Sequence, residues 1–417
     1  MPKKPLVKDI RSEVKKIVAE TPVLDIHTHV YDVPFGDLLL WGIDELLTYH
    51  YLVAEVFRVA PLPYDEFWNM PKKAQGDHVW KHLFLGRSPI SEACRGVLTT
   101  LQALGLDTES RDLEEYRDFF RSTTAREQVD RVLRLANLQS VVMTNDPFDP
   151  TERPVWEKGV EIDSRFRAVL RMDPLLNEWE KAAHALRNWG YSVSGALHED
   201  DRQEVQRFIE DWVEKMNPAY LAVSLPHTFR YQENSARRFL IDYCVLPVAQ
   251  DRNIPFAMMI GVDRQVNPSL GLAGDSVGKA DIATVVRLCA RFPKNKFLVT
   301  MLSRENQHEL CVTARKFPNL MVFGCWWFLN NPSIIEEMTR ERLELLGLSV
   351  IPQHSDARVL DQLIYKWKHS RALIGEILAD KYEDLAATGW NPSREEIARD
   401  VSQLFAGNFE RFLEWVP

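Results

Sequence analysis

The sequence predicts a (β/α)8 barrel. Three observations lead there. Eight short apolar or β-branched runs recur along the chain, the segments between them show helical periodicity from the second run onward, and the length accommodates one barrel of about 250 residues plus an insertion. The runs are Val23–Ile26, Ser140–Met143, Phe166–Arg171, Leu221–Leu225, Pro255–Ile260, Lys296–Met301, Leu320–Cys325 and Leu348–Gln353. Each is as short and apolar as buried parallel strands usually are.

Taken in order, residues 1–30 supply an N-terminal helix and the first strand. Residues 31–136 break the alternation with aromatic-rich segments of helical pattern: Ile43–Val59, Tyr64–Phe84, Ser91–Leu104, Asp112–Arg121 and Thr124–Leu135. A loop that long is not structureless, so it reads as a helical insertion at the mouth of the barrel. Residues 137–361 supply the remaining strands. Their connecting helices include Glu204–Met216, Ala236–Gln250 and Ile282–Phe292. Residues 362–417 read as two or three helices packed on the outside.

Composition narrows the function classes. Of the 417 residues, 45% are hydrophobic and 27% charged, which excludes a disordered chain. The net charge of −9 does not recruit nucleic acid or an anionic membrane, so an acidic substrate requires a local basic site. No apolar run approaches the roughly 20 residues of a membrane span. The basic stretch Met1 to Lys16 lacks the apolar core of a signal peptide. Five cysteines, an odd number without a CxxC pair, predict reduced thiols in the cytoplasm, most of them in the core.

Barrel chemistry sits at the C-terminal ends of the strands. The first run ends in His27-Thr28-His29. Residues two apart on an extended strand point the same way, so both imidazoles can face one metal ion. The last run leads into Asp356-Ala357-Arg358, where the carboxylate can complete the ligand set or carry a proton. Alternatively Asp356 caps the next helix and pairs with Arg358. As a planar fork, Arg358 suits a substrate carboxylate. Arg171, ending the third run, must aim its charge at an anion, a pocket or neighbouring Asp173. Within the insertion, His50 and Tyr51 offer a proton shuttle and a hydroxyl. Trp326, Trp327 and Phe328 make a pocket wall or core.

In this order the motifs resemble the uronate (glucuronate) isomerase family of the amidohydrolase superfamily, almost end to end. His27/His29, His50-Tyr51, Met143-Thr144-Asn145-Asp146-Pro147, Leu170-Arg171-Met172-Asp173, Asp275-Ser276-Val277-Gly278, Trp326-Trp327-Phe328 and Asp356-Ala357-Arg358 are similar to seven motifs of that family. The resemblance implies an amidohydrolase-type barrel. It further implies a divalent metal held by His27, His29 and Asp356, with zinc first and manganese, iron or nickel also suited. The implied reaction is aldose–ketose isomerisation of an open-chain hexuronate, moving a proton between C2 and C1 through an enediol. Asp356 and Tyr51 are then the acid/base residues. Arg171 and Arg358 hold the sugar acid, His50 orients it, and Trp326 walls the pocket. The substrate is a small anionic sugar acid, and a homo-oligomer is expected because family members often associate.

One departure stands out. The family's strand-5 Gln-Leu-His-Ile-Gly reads Ala257-Met258-Met259-Ile260-Gly261 here, and methionine neither moves protons nor suits a borderline ion. His227 and His354 are the histidines available to compensate. Two other readings stay open: a metal-dependent hydrolase, such as a lactonase, and a non-catalytic sugar-acid binder. Hydrolases of the superfamily usually carry further histidines after strands 5 and 6, and Val299-Thr300-Met301-Leu302 has none. A binder has no need of both metal ligands and proton carriers.

Overall fold

The fold is that of a computed structural model describing residues 9–231 and 234–417. The basic N-terminus through residue 8 lies outside the described residues. Parallel strands form two sheets. The first is β1 (Val23–Thr28), β2 (Leu138–Met143) and β3 (Phe166–Arg167). The second runs β4 (Leu170–Arg171), β5 (Leu221–Pro226), β6 (Phe256–Asp263), β8 (Phe297–Met301) and β9 (Leu320–Val322). A short β7 (Ser276–Val277) pairs antiparallel with the end of β6.

The third predicted run is divided because it changes partners halfway. Val141 pairs with Phe166 on one side of the break, and Leu170 pairs with Leu221 on the other. The two sheets meet where Asn145 bridges Leu170. The eighth predicted strand shrinks to one bridge, Phe323 to Ile351. Pro352 has no N–H to extend a ladder, and the Gln353 side chain takes over, accepting from the N–H of Cys325 (2.9 Å) and His354 (3.0 Å). The ring then closes through residues 355–357. Asp356 N donates to the His27 carbonyl (3.1 Å) and His29 N to that of Ala357 (2.7 Å).

Period-two alternation sorts the strand side chains. Phe256, Met258 and Ile260 of β6 pack outward beneath the helices, in one cluster with Phe208, Leu240 and Leu288. Ala257 and Met259 face the barrel interior with Leu24, Ile26, Val142, Ala222 and Leu298. Pairing of β1 with β2 slips between Asp25 and Thr28. A slip of this kind re-aims side chains, and here both Ile26 and His27 turn inward.

The segment between β1 and β2 is helical, with its own apolar cluster of Leu46, Leu52, Val56, Trp80, Leu83, Leu101 and Tyr116. Its first predicted helix is broken in two, Ile43–Leu47 and His50–Val59. Thr48 caps the first piece by donating Oγ1 to the Asp44 carbonyl (2.7 Å), and Tyr49 turns extended. After the barrel come Gln362–Ala387, Arg394–Ser402 and Asn408–Glu414. The long helix packs against Ile10–Glu20 and Glu92–Ala103.

Candidate active site

A cavity of about 200 Å³ opens at the C-terminal ends of the strands. His27 enters it from β1 and His29 from just past the end of that strand, Ser224 from β5 and Met259 from β6. Asp356 and Arg358 enter from the closing segment, and Tyr49 and His50 from the break in the insertion helix.

The Nε2 atoms of His27 and His29 each lie 3.4 Å from the same oxygen, Asp356 Oδ1. Among the described residues these three form the group able to hold a metal ion, with ligand atoms within 4.8 Å of one another. His27 Nε2 and Asp356 Oδ1 are buried without a hydrogen-bond partner. Unpartnered buried acceptors are costly. Two imidazoles and a carboxylate are a donor set for a divalent cation, and so the residues fit one.

Asp356 sits at φ +51°, a strained conformation for a non-glycine residue. It is held there by its own N–H and by buried Lys366, whose Nζ donates to the Ser355 carbonyl (2.7 Å). Burial pushes the Asp356 carboxyl up, but the two imidazoles outweigh it and hold it well below the usual range. Burial also lowers His29 to about 4 and His50 to about 3, despite the Asp356 charge. His50 Nε2 accepts from Trp327 Nε1 (3.0 Å), which leaves its proton on Nδ1.

Three arginines reach the cavity. Arg171 is committed to Asp173, with Nη2 at 3.0 Å from Oδ1 and Nε at 3.2 Å from Oδ2. Arg264 donates to Asp275 Oδ2 (2.6 Å) and lies 5.8 Å above the Trp327 ring. Arg358 is exposed and forms no ion pair among the described residues. Its backbone N–H is fixed by Gln362 Oε1 at 3.0 Å.

Of the residues singled out in the sequence, His27, His29, His50, Arg171, Trp326, Asp356 and Arg358 thus share one cavity. Tyr51 packs beside them, 4.6 Å from the His50 ring, while Tyr49 lines the wall. Burial raises both phenols, which keeps them protonated. His354 is fully buried behind His27 at 5.1 Å between ring centroids, and His227 packs under Gly278. Neither lines the cavity. Tyr49, Ser224, Arg264 and Leu272 were not legible as site residues. For Ser224 and Arg264 a signal existed, since both lie at or just past strand ends. Tyr49 depends on a helix break with no glycine or proline to mark it.

Comparison with solved structures places this geometry. A uronate isomerase from Bacillus halodurans C-125 is 60% identical, covering 97% of this chain and 96% of its own, with a TM-score of 0.96. The chain belongs to the uronate isomerase family. A uronate isomerase from Thermotoga maritima (17% identity, TM-score 0.76, 98% of each chain) shares the fold. So does a glucuronate isomerase from Caulobacter crescentus (12% identity, TM-score 0.78, 99% of this chain and 95% of that one). No family model and no curated protein matches the chain. In this uronate isomerase family member Met259 of β6 lines the cavity as an apolar wall beside the group able to hold a metal ion.

Proposed function

We propose that this chain interconverts an open-chain hexuronate aldose and its keto-acid, of the glucuronate–fructuronate or galacturonate–tagaturonate type, through an enediol. The observation that carries the reading is 60% identity over 97% of the chain to a uronate isomerase. The cavity chemistry agrees, since three arginines line it in a chain of net charge −9. A bound divalent ion, zinc foremost, would be held by His27, His29 and Asp356 and would supply positive charge beside the substrate oxygens.

The protein groups do the rest. Asp356, kept ionised, is the base that takes the proton at carbon. Arg358, free of ion pairs among the described residues, grips the carboxylate or a hydroxyl. Arg171, steadied by Asp173, shares the carboxylate. His50, neutral with its Nε2 taken by Trp327, orients the sugar through Nδ1–H. Tyr51 is the second acid/base residue, and Trp326 shields the enediol from water. Five free cysteines, all buried, support a reducing, cytoplasmic setting. No helix among the described residues is long and apolar enough to cross a membrane.

The test is ¹H NMR of D-glucuronate and D-galacturonate in D₂O with zinc- or manganese-loaded protein. Conversion to the keto-acid is expected. Asp356→Asn and Arg358→Met should each lower turnover by a factor of at least about 10². Absence of both conversion and deuterium exchange at C2, with metal bound, would refute the isomerase reading.

A further inference from the structure

We infer that Tyr220 is a positioning residue that fixes the tautomer of His27 and so prepares its Nε2 for the metal. Tyr220 stands just before β5 and is buried inside the barrel, beneath the cavity. Its hydroxyl has one proton, and the Ile26 carbonyl, at 2.7 Å, takes it. The same oxygen lies 3.3 Å from His27 Nδ1. With its proton spent on Ile26, the phenol can only accept from the ring, so Nδ1 carries the imidazole proton.

That assignment has a consequence at the other ring nitrogen. In a neutral ring, which has one N–H, His27 Nε2 is then a bare lone pair. It is the buried Nε2 atom without a hydrogen-bond partner, 3.4 Å from Asp356 Oδ1. In the opposite tautomer Nε2–H would point at the Asp356 carboxylate, which competes for the ring proton, but two lone pairs would face each other across the Tyr220 contact, and that clash is what Tyr220 sets against it. Hydrogen-bond partners behind metal-binding histidines hold ring and tautomer in place, and losing one typically costs 10–100-fold in metal affinity. His29, partly exposed, has no comparable partner on its second nitrogen among the described residues, so the preparation falls on His27.

The inference rests on the metal reading of the site but not on the identity of the substrate. Its test uses Tyr220→Phe, which keeps the ring packed against Phe409 and removes only the hydroxyl. ¹⁵N NMR of histidine-labelled, metal-free protein, with His27 assigned by its loss in His27→Asn, reads the tautomer directly. The wild type should show Nδ1 protonated and Nε2 bare, and Tyr220→Phe should show a mixture. Zinc competition against a chromophoric chelator should find affinity about 10–100-fold weaker in Tyr220→Phe. Protonated Nε2 in the wild type, or an unchanged tautomer or zinc affinity in Tyr220→Phe, overturns the inference. Wild-type protein that binds no zinc overturns it together with the metal reading, whereas wild type that binds zinc but leaves hexuronates untouched refutes only the proposed reaction.

Discussion

His50 is a neutral imidazole in a wall of the cavity, and burial lowers it to about 3. An unfolded histidine titrates near 6.5. Between those values the unfolded chain binds one more proton than the native one, so stability falls as pH falls through that window. Asp146 and Glu152 run the other way, raised by burial to about 6 and about 7, and lose stabilisation as pH rises. They are shared by wild type and variant and cancel in a comparison. Metal-free His50→Gln, which keeps an acceptor for Trp327 Nε1, should therefore lose the His50 share of the acid-side slope, while the share of His29, lowered to about 4, stays in both proteins. Urea unfolding between pH 6 and 4.5 should show the two stability curves diverging by about 1.4 kcal/mol per pH unit. Parallel curves would mean that His50 is charged or solvated in the native cavity.

At the scale of elements, the informative feature is how the barrel closes without an eighth ladder. Asp25 of β1 is fully buried and accepts from Ser355 N (3.0 Å) and Trp367 Nε1 (2.7 Å). One carboxylate thus ties the first strand to the closing segment and to the long helix Gln362–Ala387. It also ties the strand that leads to His27 and His29 to the residue just before Asp356. Removing it strands two buried donors, at about 1–3 kcal/mol each. Asp25→Ala is expected to lose about 2–5 kcal/mol in urea unfolding and to weaken zinc binding as well. A loss below about 1 kcal/mol would show that the hydrogen bonds of His29, Asp356 and Leu360 close the ring unaided. The insertion has a similar device in Arg117, buried among Asp44, Asp77 and Glu114, which holds three of its helices together.

For the whole molecule, the site is assembled from segments far apart in the chain: β1, the insertion, the strand ends and the closing segment. A cation binding only the folded assembly stabilises all of it. At a thousandfold excess over its dissociation constant the gain is about 4 kcal/mol. Thermal melts should rise with zinc and fall with a chelator. His29→Asn should remove the difference while leaving the metal-free melt near that of the wild type. A melt indifferent to zinc, manganese, iron and nickel would rule out the cation site as a stabilising centre.

Much of this was legible in the sequence because it depends on local pattern. Apolar runs of strand length, helical periodicity between them, and histidines two apart at a strand end are set by backbone geometry and hydrophobicity alone. The His27/His29 pair and Asp356 could be recognised from their positions after the first and last runs. Three things needed the tertiary structure. Tyr220 reaches His27 across 193 positions of sequence, and no local rule relates them. The break that turns Tyr49 into the cavity carries no glycine or proline, so packing of the insertion decides it. Arg171 and Arg358 read alike as strand-end arginines. Only their surroundings separate them, since Asp173 pairs with the first guanidinium, whereas the second forms no ion pair among the described residues. Sequence periodicity specifies which faces are buried, whereas hydrogen-bond satisfaction inside the barrel depends on which distant groups the closed ring brings together.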